Sequence, residues 1–409
     1  MEILIIGTHQ TYLKSYAGGY VRLREFIKRF PSEFNYKVID VRPSIYEDIV
    51  EKDKLILFNN PRIVKLLLTL FFPLGVLCER VWMGFSIYKL AKKNIKNGKA
   101  LIYVPIGDLL HLYIPAIILK KEFPQSKLLI DILNFGVIEK NIFQLTNKLK
   151  KNSNLFTSFI LATFYLITFF IIKNTIKKVD FVFTVSKDLI TEIKKIYPKN
   201  TIDYTPSGVS VNVRIPKKTK KKYLGVYVGR VTEQKGIYNL LEVWREVVKE
   251  KPEAKLAIAG FMDIETSGII KSRIEKFGLE KNIVIFGAVT EEDKYKILSE
   301  SEIFLHLANC EPLFPVIGIL EGLISGLPCV VFDMPVLKAE VSKTIKNNFV
   351  FVISNGNIQE ASKVIVEYDS YPKSKKIVIS NKAKQFASKF DWNEIANKEF
   401  LVIKNLIKQ

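Results

Sequence analysis

The stretch 227–244, "YVGRVTEQKGIYNLLEVW", decides how the second half of the chain is read. "YVG" closes an apolar strand pattern, and "IYNLLEVW" repeats apolar residues at helical spacing. A strand passing through a short polar loop into a helix is one arm of a βαβ unit. Gly229 at the strand end permits close backbone approach, and Arg230 and Lys235 stand on the loop. Two cations there suit a diphosphate, whose charge grows when it departs as a leaving group. Taken alone, each is equally well a surface charge.

Working outward, the alternation recurs along the chain. "EILIIG", "YKVIDV", "KLILF", "ALIYVP", "KLLIDI" and "DFVFTVS" come first; "YLGVYVG", "AKLAIAG", "NIVIFG", "IFLHL" and "PCVVF" follow. Two series interleaved with helical patterns predict α/β architecture: two Rossmann-like, doubly wound domains facing a cleft. The 409 residues, 48% of them hydrophobic, are enough for two such cores. The expected domains are 1–215, 216–380 and a returning segment, 381–409. "KKTKKK" at 217–222, after Pro216, reads as a solvated linker.

The formal charge is +21, of which roughly +14 falls in residues 1–205. That excess favours anionic partners, but no zinc spacing or RNA-recognition signature supports nucleic acid. Cys78, Cys310 and Cys329 show no metal-ligand spacing and fit a reduced, intracellular protein. "MEILIIG" lacks a basic leader and reads as a first strand rather than a signal peptide. Residues 155–172, "LFTSFILATFYLITFFII", hold no charge and are flanked by Lys148, Lys150, Lys151, Lys173, Lys177 and Lys178. The helix they predict is apolar nearly all round and long enough to meet a membrane. A single crossing would separate "KLLIDI" from "DFVFTVS", so it is expected to seat the protein on the cytoplasmic membrane face without crossing. A second apolar run, 66–78, is interrupted by Pro73.

The other chemistry-bearing stretch is 311–328, "EPLFPVIGILEGLISGLP". Glu321 is expected early on a helix, where its carboxylate can accept from both hydroxyls of a vicinal diol. The backbone amides of 314–318 stand ready for phosphate or sugar oxygens, with Glu311 at the other end of the same ligand. A capping or solvated glutamate is the plain alternative for either residue.

Together these pieces resemble glycosyltransferase family four, the retaining GT-B transferases that use nucleotide-sugar donors. The residues that carry the likeness are Gly229-Arg230, Lys235-Gly236, Glu311, Glu321 and "ISGLP" at 324–328. Gly18-Gly19, "VS" at 185–186, "PSGV" at 206–209 and "FDWNEIA" at 390–396 extend it along the chain. The resemblance implies that Arg230 and Lys235 bind the donor diphosphate and Glu321 the ribose. It places Glu311 near the reacting sugar carbon and the base near Gly287 to Val289. Gly18 and Gly19 would approach donor or acceptor from the first domain, and the helix containing Trp392 would return to that domain. The expected partners are a nucleotide sugar, a glycan or polyprenyl-linked acceptor and an anionic membrane surface, with no cofactor and no obligatory metal.

Two departures stand out. Nine residues lie between Glu311 and Glu321, more than the family usually has. Leu133 occupies a strand tip where many members carry a histidine, with Asp131 and Asn134 nearby. His9 is a candidate substitute; His111 and His306 have less to recommend them. The competing functions are a nucleotide-sugar isomerase on the same fold and a non-catalytic sugar-nucleotide binding protein.

Overall fold

The computed structural model describes residues 1–7, 18–41, 45–133, 142–149, 155–196, 201–216, 219–309, 311, 315–334 and 349–409. They form two compact units, Met1–Pro206 with Asn393–Gln409, and Ser207–Trp392.

In the first unit the strands are β1 (Ile3–Ile6), β2 (Tyr36–Asp40), β3 (Leu55–Leu57), β4 (Leu101–Val104), β5 (Lys127–Ile132), β6 (Phe181–Thr184) and β7 (Ile202–Tyr204). Its helices are α1 (Gly18–Ile27), α2 (Arg62–Leu70), α3 (Phe72–Asn94), α4 (Leu110–Glu122), α5 (Ile142–Leu149), α6 (Leu155–Thr175) and α7 (Lys187–Ile196). The strands pair in parallel in the order β3-β2-β1-β4-β5-β6-β7, with Ile3 opposite both Tyr36 and Leu101. Every residue of β1 and β4 is buried. A parallel sheet covered on both faces needs such uninterrupted apolar runs, which is why "ILII" and "LIYV" do not alternate.

The second unit holds β8 (Tyr223–Val228), α8 (Ile237–Glu250), β9 (Leu256–Ala259), α9 (Ile264–Phe277), β10 (Ile283–Gly287), α10 (Glu291–Ser299), β11 (Ser301–His306), α11 (Ile317–Ile324), β12 (Cys329–Phe332), β13 (Val350–Ile353), α12 (Ile358–Asp369) and α13 (Lys373–Ala387). The order β10-β9-β8-β11-β12-β13 is the doubly wound one, and winding reverses between β8 and β11. A last helix, α14 (Trp392–Lys408), passes at Asn393 into the first unit.

Several boundaries differ from the sequence reading. Residues 207–215 belong to the second unit, because Val209 bridges Asp391 and Val211, Val213 and Ile215 pack on that unit's core. Ala383 and Ala387 are part of the same core, so the return begins at 393 rather than 381. The edge strands β7 and β13 were absent from the expected series; each is short and gains its place by pairing with β6 and β12. The run 66–78 is divided at Phe71, and Pro73 sits in the first turn of α3, where its missing N–H costs nothing.

One buried network ties α14 to the first sheet. Arg22 of α1, 2% exposed, pairs with Glu399 and lies 3.5 Å from Asp131 Oδ2. It also donates to Pro206 O at 2.7 Å and Thr205 Oγ1 at 2.8 Å. Tyr103 Oη donates toward Asp131 Oδ2 at 2.9 Å and Glu399 Oε2 at 3.2 Å. Burial, then the neighbouring Glu399 charge, pushes Asp131 well above the usual carboxylate range, and burial raises Glu399. One cation here serves two carboxylates. Removing it strands both, so Arg22→Ala should cost about 3–5 kcal/mol in urea unfolding monitored by circular dichroism.

Candidate functional site

The site is assembled at the carboxyl ends of β8 and β11, where a doubly wound sheet offers its crevice. After β8 the chain makes a short helical turn, Glu233–Lys235, ended by Gly236 at φ +79°. A Cβ on Gly236 would lie 2.0 Å from Leu307 O, so only glycine lets this loop rest on the exit of β11. Asn239 Nδ2 donates to Leu307 O at 2.8 Å and reinforces the contact. This close approach sets Lys235, next to Gly236, opposite Glu311.

Lys235 Nζ donates to both carboxylate oxygens of Glu311, at 2.6 and 2.7 Å. His306 Nε2, at the end of β11, lies 2.9 Å from Glu311 Oε1. The imidazole stacks on Tyr227, with ring centroids 6.5 Å apart and planes 14° from parallel. Tyr227 Oη in turn donates to Arg230 O at 2.6 Å and fixes the loop's first turn. The Glu311 side chain is only 4% exposed. Burial alone pushes its carboxyl up, but His306's hydrogen bond and the Lys235 charge outweigh burial and hold it below the usual value. Burial, then the Glu311 charge, pushes the Tyr227 hydroxyl up, so it stays a neutral donor. Arg230 is half-buried and forms no carboxylate pair among the described residues.

Glu321 sits in the second turn of α11. Lys294 of α10 donates to its Oε1 at 2.5 Å. Glu311 and Glu321 therefore answer to different lysines. α11 is pressed against the sheet through two glycines: a Cβ on Gly318 would meet Val228 O at 3.0 Å, and one on Gly322 would meet Phe304 at 2.7 Å. Gly260, at φ +148°, passes within 1.7 Å of Gly229 O counted from the Cβ it lacks, which keeps the ends of β8 and β9 together. Gly260 N also donates to Gly287 O at 2.7 Å, and Val289 packs on the core just beyond β10.

Gly229, Arg230, Lys235, Glu311, Glu321 and Val289 thus all belong to the second unit. Gly18 and Gly19 open α1 in the first unit, where a Cβ on Gly19 would crowd Ile106 at 2.7 Å and Leu133 at 2.9 Å. Leu133 is buried there. His111 is buried on α4, and burial with the Arg80 charge pushes it down to about 3. His9, Asn134, Cys310 and the first of the amides at 314–318 lie outside the described residues. Among the described residues no cluster of three or more His, Cys, Asp or Glu side chains is arranged to hold a metal ion.

Sequence reasoning weighed His306 only as a weak substitute for the histidine that Leu133 replaces, not as a partner of Glu311, and did not see Lys294 or Tyr227. The available signal was a lone histidine closing an apolar strand five residues before Glu311.

Residues 211–385 match the family model of glycosyl transferases group 1. An uncharacterized glycosyltransferase of Methanocaldococcus jannaschii is 30% identical over 114 residues, 28% of this chain. The match spans 27% of that relative's length, about a quarter of it. Anabaena HepE, solved with UDP and glucose, superposes with a TM-score of 0.66 at 15% identity, covering 99% of both chains. Sucrose-phosphate synthase of Thermosynechococcus elongatus gives a TM-score of 0.69 at 13% identity, covering 100% of this chain and 99% of that one. The fold is GT-B. Its second unit carries a glycosyl transferases group 1 domain, and the Lys235–Glu311–His306 cluster lies within that matched segment.

The depressed Glu311 value has a signed consequence. A carboxyl held below its ordinary 4.5 stabilises the fold above that pH and loses this contribution as pH falls through its lowered value. Urea unfolding across a pH series should show wild type more stable than Glu311→Gln near neutrality. The gap should narrow only below about pH 4.5.

Proposed function

We propose that the chain is a retaining glycosyltransferase that moves a hexosyl group from a nucleotide sugar to a glycan or lipid-linked acceptor at the cytoplasmic membrane face. The observation that carries this reading is a buried, ionised Glu311 gripped by Lys235 at the switch point of a glycosyl transferases group 1 domain. HepE's complex with UDP and glucose supports a uridine nucleotide as the first donor to try.

In this reading Lys235 and Arg230 engage the donor diphosphate. Lys294 takes one oxygen of Glu321, and the carboxylate keeps acceptor sites for a ribose hydroxyl. Glu311 orients the sugar. The bond from the anomeric carbon to the diphosphate oxygen breaks as the acceptor oxygen bonds to the same face. The acceptor's proton passes to a departing phosphate oxygen. Lys235 and Arg230 stabilise the charge that collects on the diphosphate, which lowers the barrier without a strong base. No obligatory metal enters this scheme.

The membrane part rests on α6. Ser158–Lys178 is apolar and long enough to cross a bilayer, yet only 24% of it is buried. The strands it connects, β5 and β6, pair directly, with Leu129 opposite Phe181. A crossing would set these neighbours on opposite sides of the bilayer, so α6 lies along the surface in this reading.

Arg230→Ala and Lys235→Ala should each lower transfer from a UDP-sugar by roughly tenfold to a thousandfold, each contact being worth about 2–4 kcal/mol; Arg230→Ala should leave unfolding unchanged, whereas Lys235→Ala should also destabilise the fold because it strands the buried Glu311. Chromatography of products from UDP-sugars with and without acceptor checks this, and full activity in both variants would remove the donor-site assignment. Glu321→Gln should weaken UDP itself, whereas Glu311→Gln should mainly slow transfer. Calorimetric titration of UDP into both variants checks that division; UDP loss in Glu311→Gln alone would reverse the two roles.

A further inference from the structure

The apolar surface of the first unit is larger than α6. On α3, Leu77, Val81 and Phe85 recur at helical spacing and are 55%, 67% and 57% exposed. Ile114 and Ile118 repeat the pattern on α4, and Ile63, Leu66 and Leu70 on α2. These stripes invert ordinary amphipathicity: the face turned away from the sheet is the apolar one. Contiguous apolar patches of this kind mark interaction sites.

Between α3 and α4 the patch deepens into a groove of about 330 Å³, lined by Leu77, Val81, Phe85, Ile114 and Ile118 and ended by Phe164 of α6. Two polar atoms of residues on its wall, Arg80 Nε and His111 Nε2, are buried and have no hydrogen-bond partner among the described residues. The Arg80 guanidinium lies over the Phe164 ring at 5.2 Å. The groove therefore offers a long, almost wholly apolar floor.

Charge identifies the occupant. α3, α4 and the turn after α6 each run into a strand, β4, β5 and β6, and these are neighbours in the parallel sheet. Their carboxyl ends consequently collect along one edge. Each brings lysines there: Lys92 and Lys93, Lys120 and Lys121, Lys177 and Lys178. Four of these line a second hollow of about 420 Å³ with Asp180, whose carboxylate pairs with Lys120 at 2.8 Å. An apolar groove beside a lysine edge matches an amphiphile with hydrocarbon chain and anionic head. A second copy of the chain would bring another lysine edge against the first, which like-charge repulsion opposes.

We propose that the α3–α4 groove takes a hydrocarbon chain of an anionic membrane lipid, with the lysine edge at headgroup level. α3 is then a membrane anchor in its own right, and α6 is one part of a broader seat. This rests on the membrane-surface reading above and adds to it a specific chain-binding site.

The test uses the full chain and vesicles of phosphatidylglycerol and phosphatidylcholine in equal parts. Trp82 stands on α3, 6.2 Å from Phe85, whereas Trp244 and Trp392 are buried in their own cores. Chain-brominated phosphatidylglycerol should quench the Trp82 fluorescence, and the quenching should vanish in Trp82→Phe. A variant with Leu77, Val81 and Phe85 all changed to Ser, α6 intact, should lose on the order of a hundredfold in vesicle partitioning. Its UDP affinity should be unchanged. Absence of Trp82 quenching in the wild type overturns the proposal, whether or not the triple variant folds. So does a folded variant that binds vesicles like the wild type, or one that merely loses self-association. Failure to find glycosyl transfer would leave these vesicle results untouched, so the two readings fail separately.

Discussion

Glu311 has almost no contact with water, and a carboxylate so placed stays charged only if donors surround it. The donors come from two places far apart in the chain, Lys235 on the loop after β8 and His306 at the end of β11. Bringing them together requires β8 and β11 to be neighbours, the loop to lie flat on Leu307, and a glycine at 236 to allow it. The doubly wound order meets the first requirement, because its central pair is the point where winding reverses. The result is a rigid, charged corner at the open end of the sheet. Its cation and carboxylate are already aligned, so a ligand pays little to order them.

The first unit solves a similar problem with opposite arithmetic. There Arg22 serves Asp131 and Glu399, and burial raises both carboxyls above their ordinary values. Such a network suits a structural tie, since it fixes α14 to α1 and β5 without exposing a reactive charge. The second unit spends two donors on one carboxylate and keeps it charged. That difference separates a fastening from a site.

Much of this was legible in sequence, for identifiable reasons. Parallel strands buried on both faces leave uninterrupted apolar runs, so β1, β4, β5 and β8 could be read directly. The loop carrying Gly229, Arg230, Lys235 and Gly236 declared itself because strand, turn and helix signals are contiguous there. β7 was not legible: "IDY" is short and half-buried, and its identity as a strand comes from pairing with β6. The unit boundary at 206 was hidden for a similar reason, since Pro216 and the lysine run are louder than the single bridge from Val209 to Asp391. His306 lay beyond reach because its meaning depends on Lys235, which is 71 residues away in the chain and adjacent in space. Glu321 was recognised, but its tether to Lys294 crosses between helices and leaves no spacing to read.

The central claim is that Lys235, held by Glu311, is the anchor of a nucleotide-sugar diphosphate. Calorimetric titration of UDP into wild type, Lys235→Ala, Glu311→Gln and the double variant tests it most directly. With Lys235 removed, Glu311 would face the diphosphate as an uncompensated negative charge, so the loss in Lys235→Ala should be partly recovered when Glu311 is also replaced. The account predicts a coupling of about 1 kcal/mol or more between the two changes. Wild-type UDP affinity in Lys235→Ala, or strictly additive effects in the cycle, would contradict it.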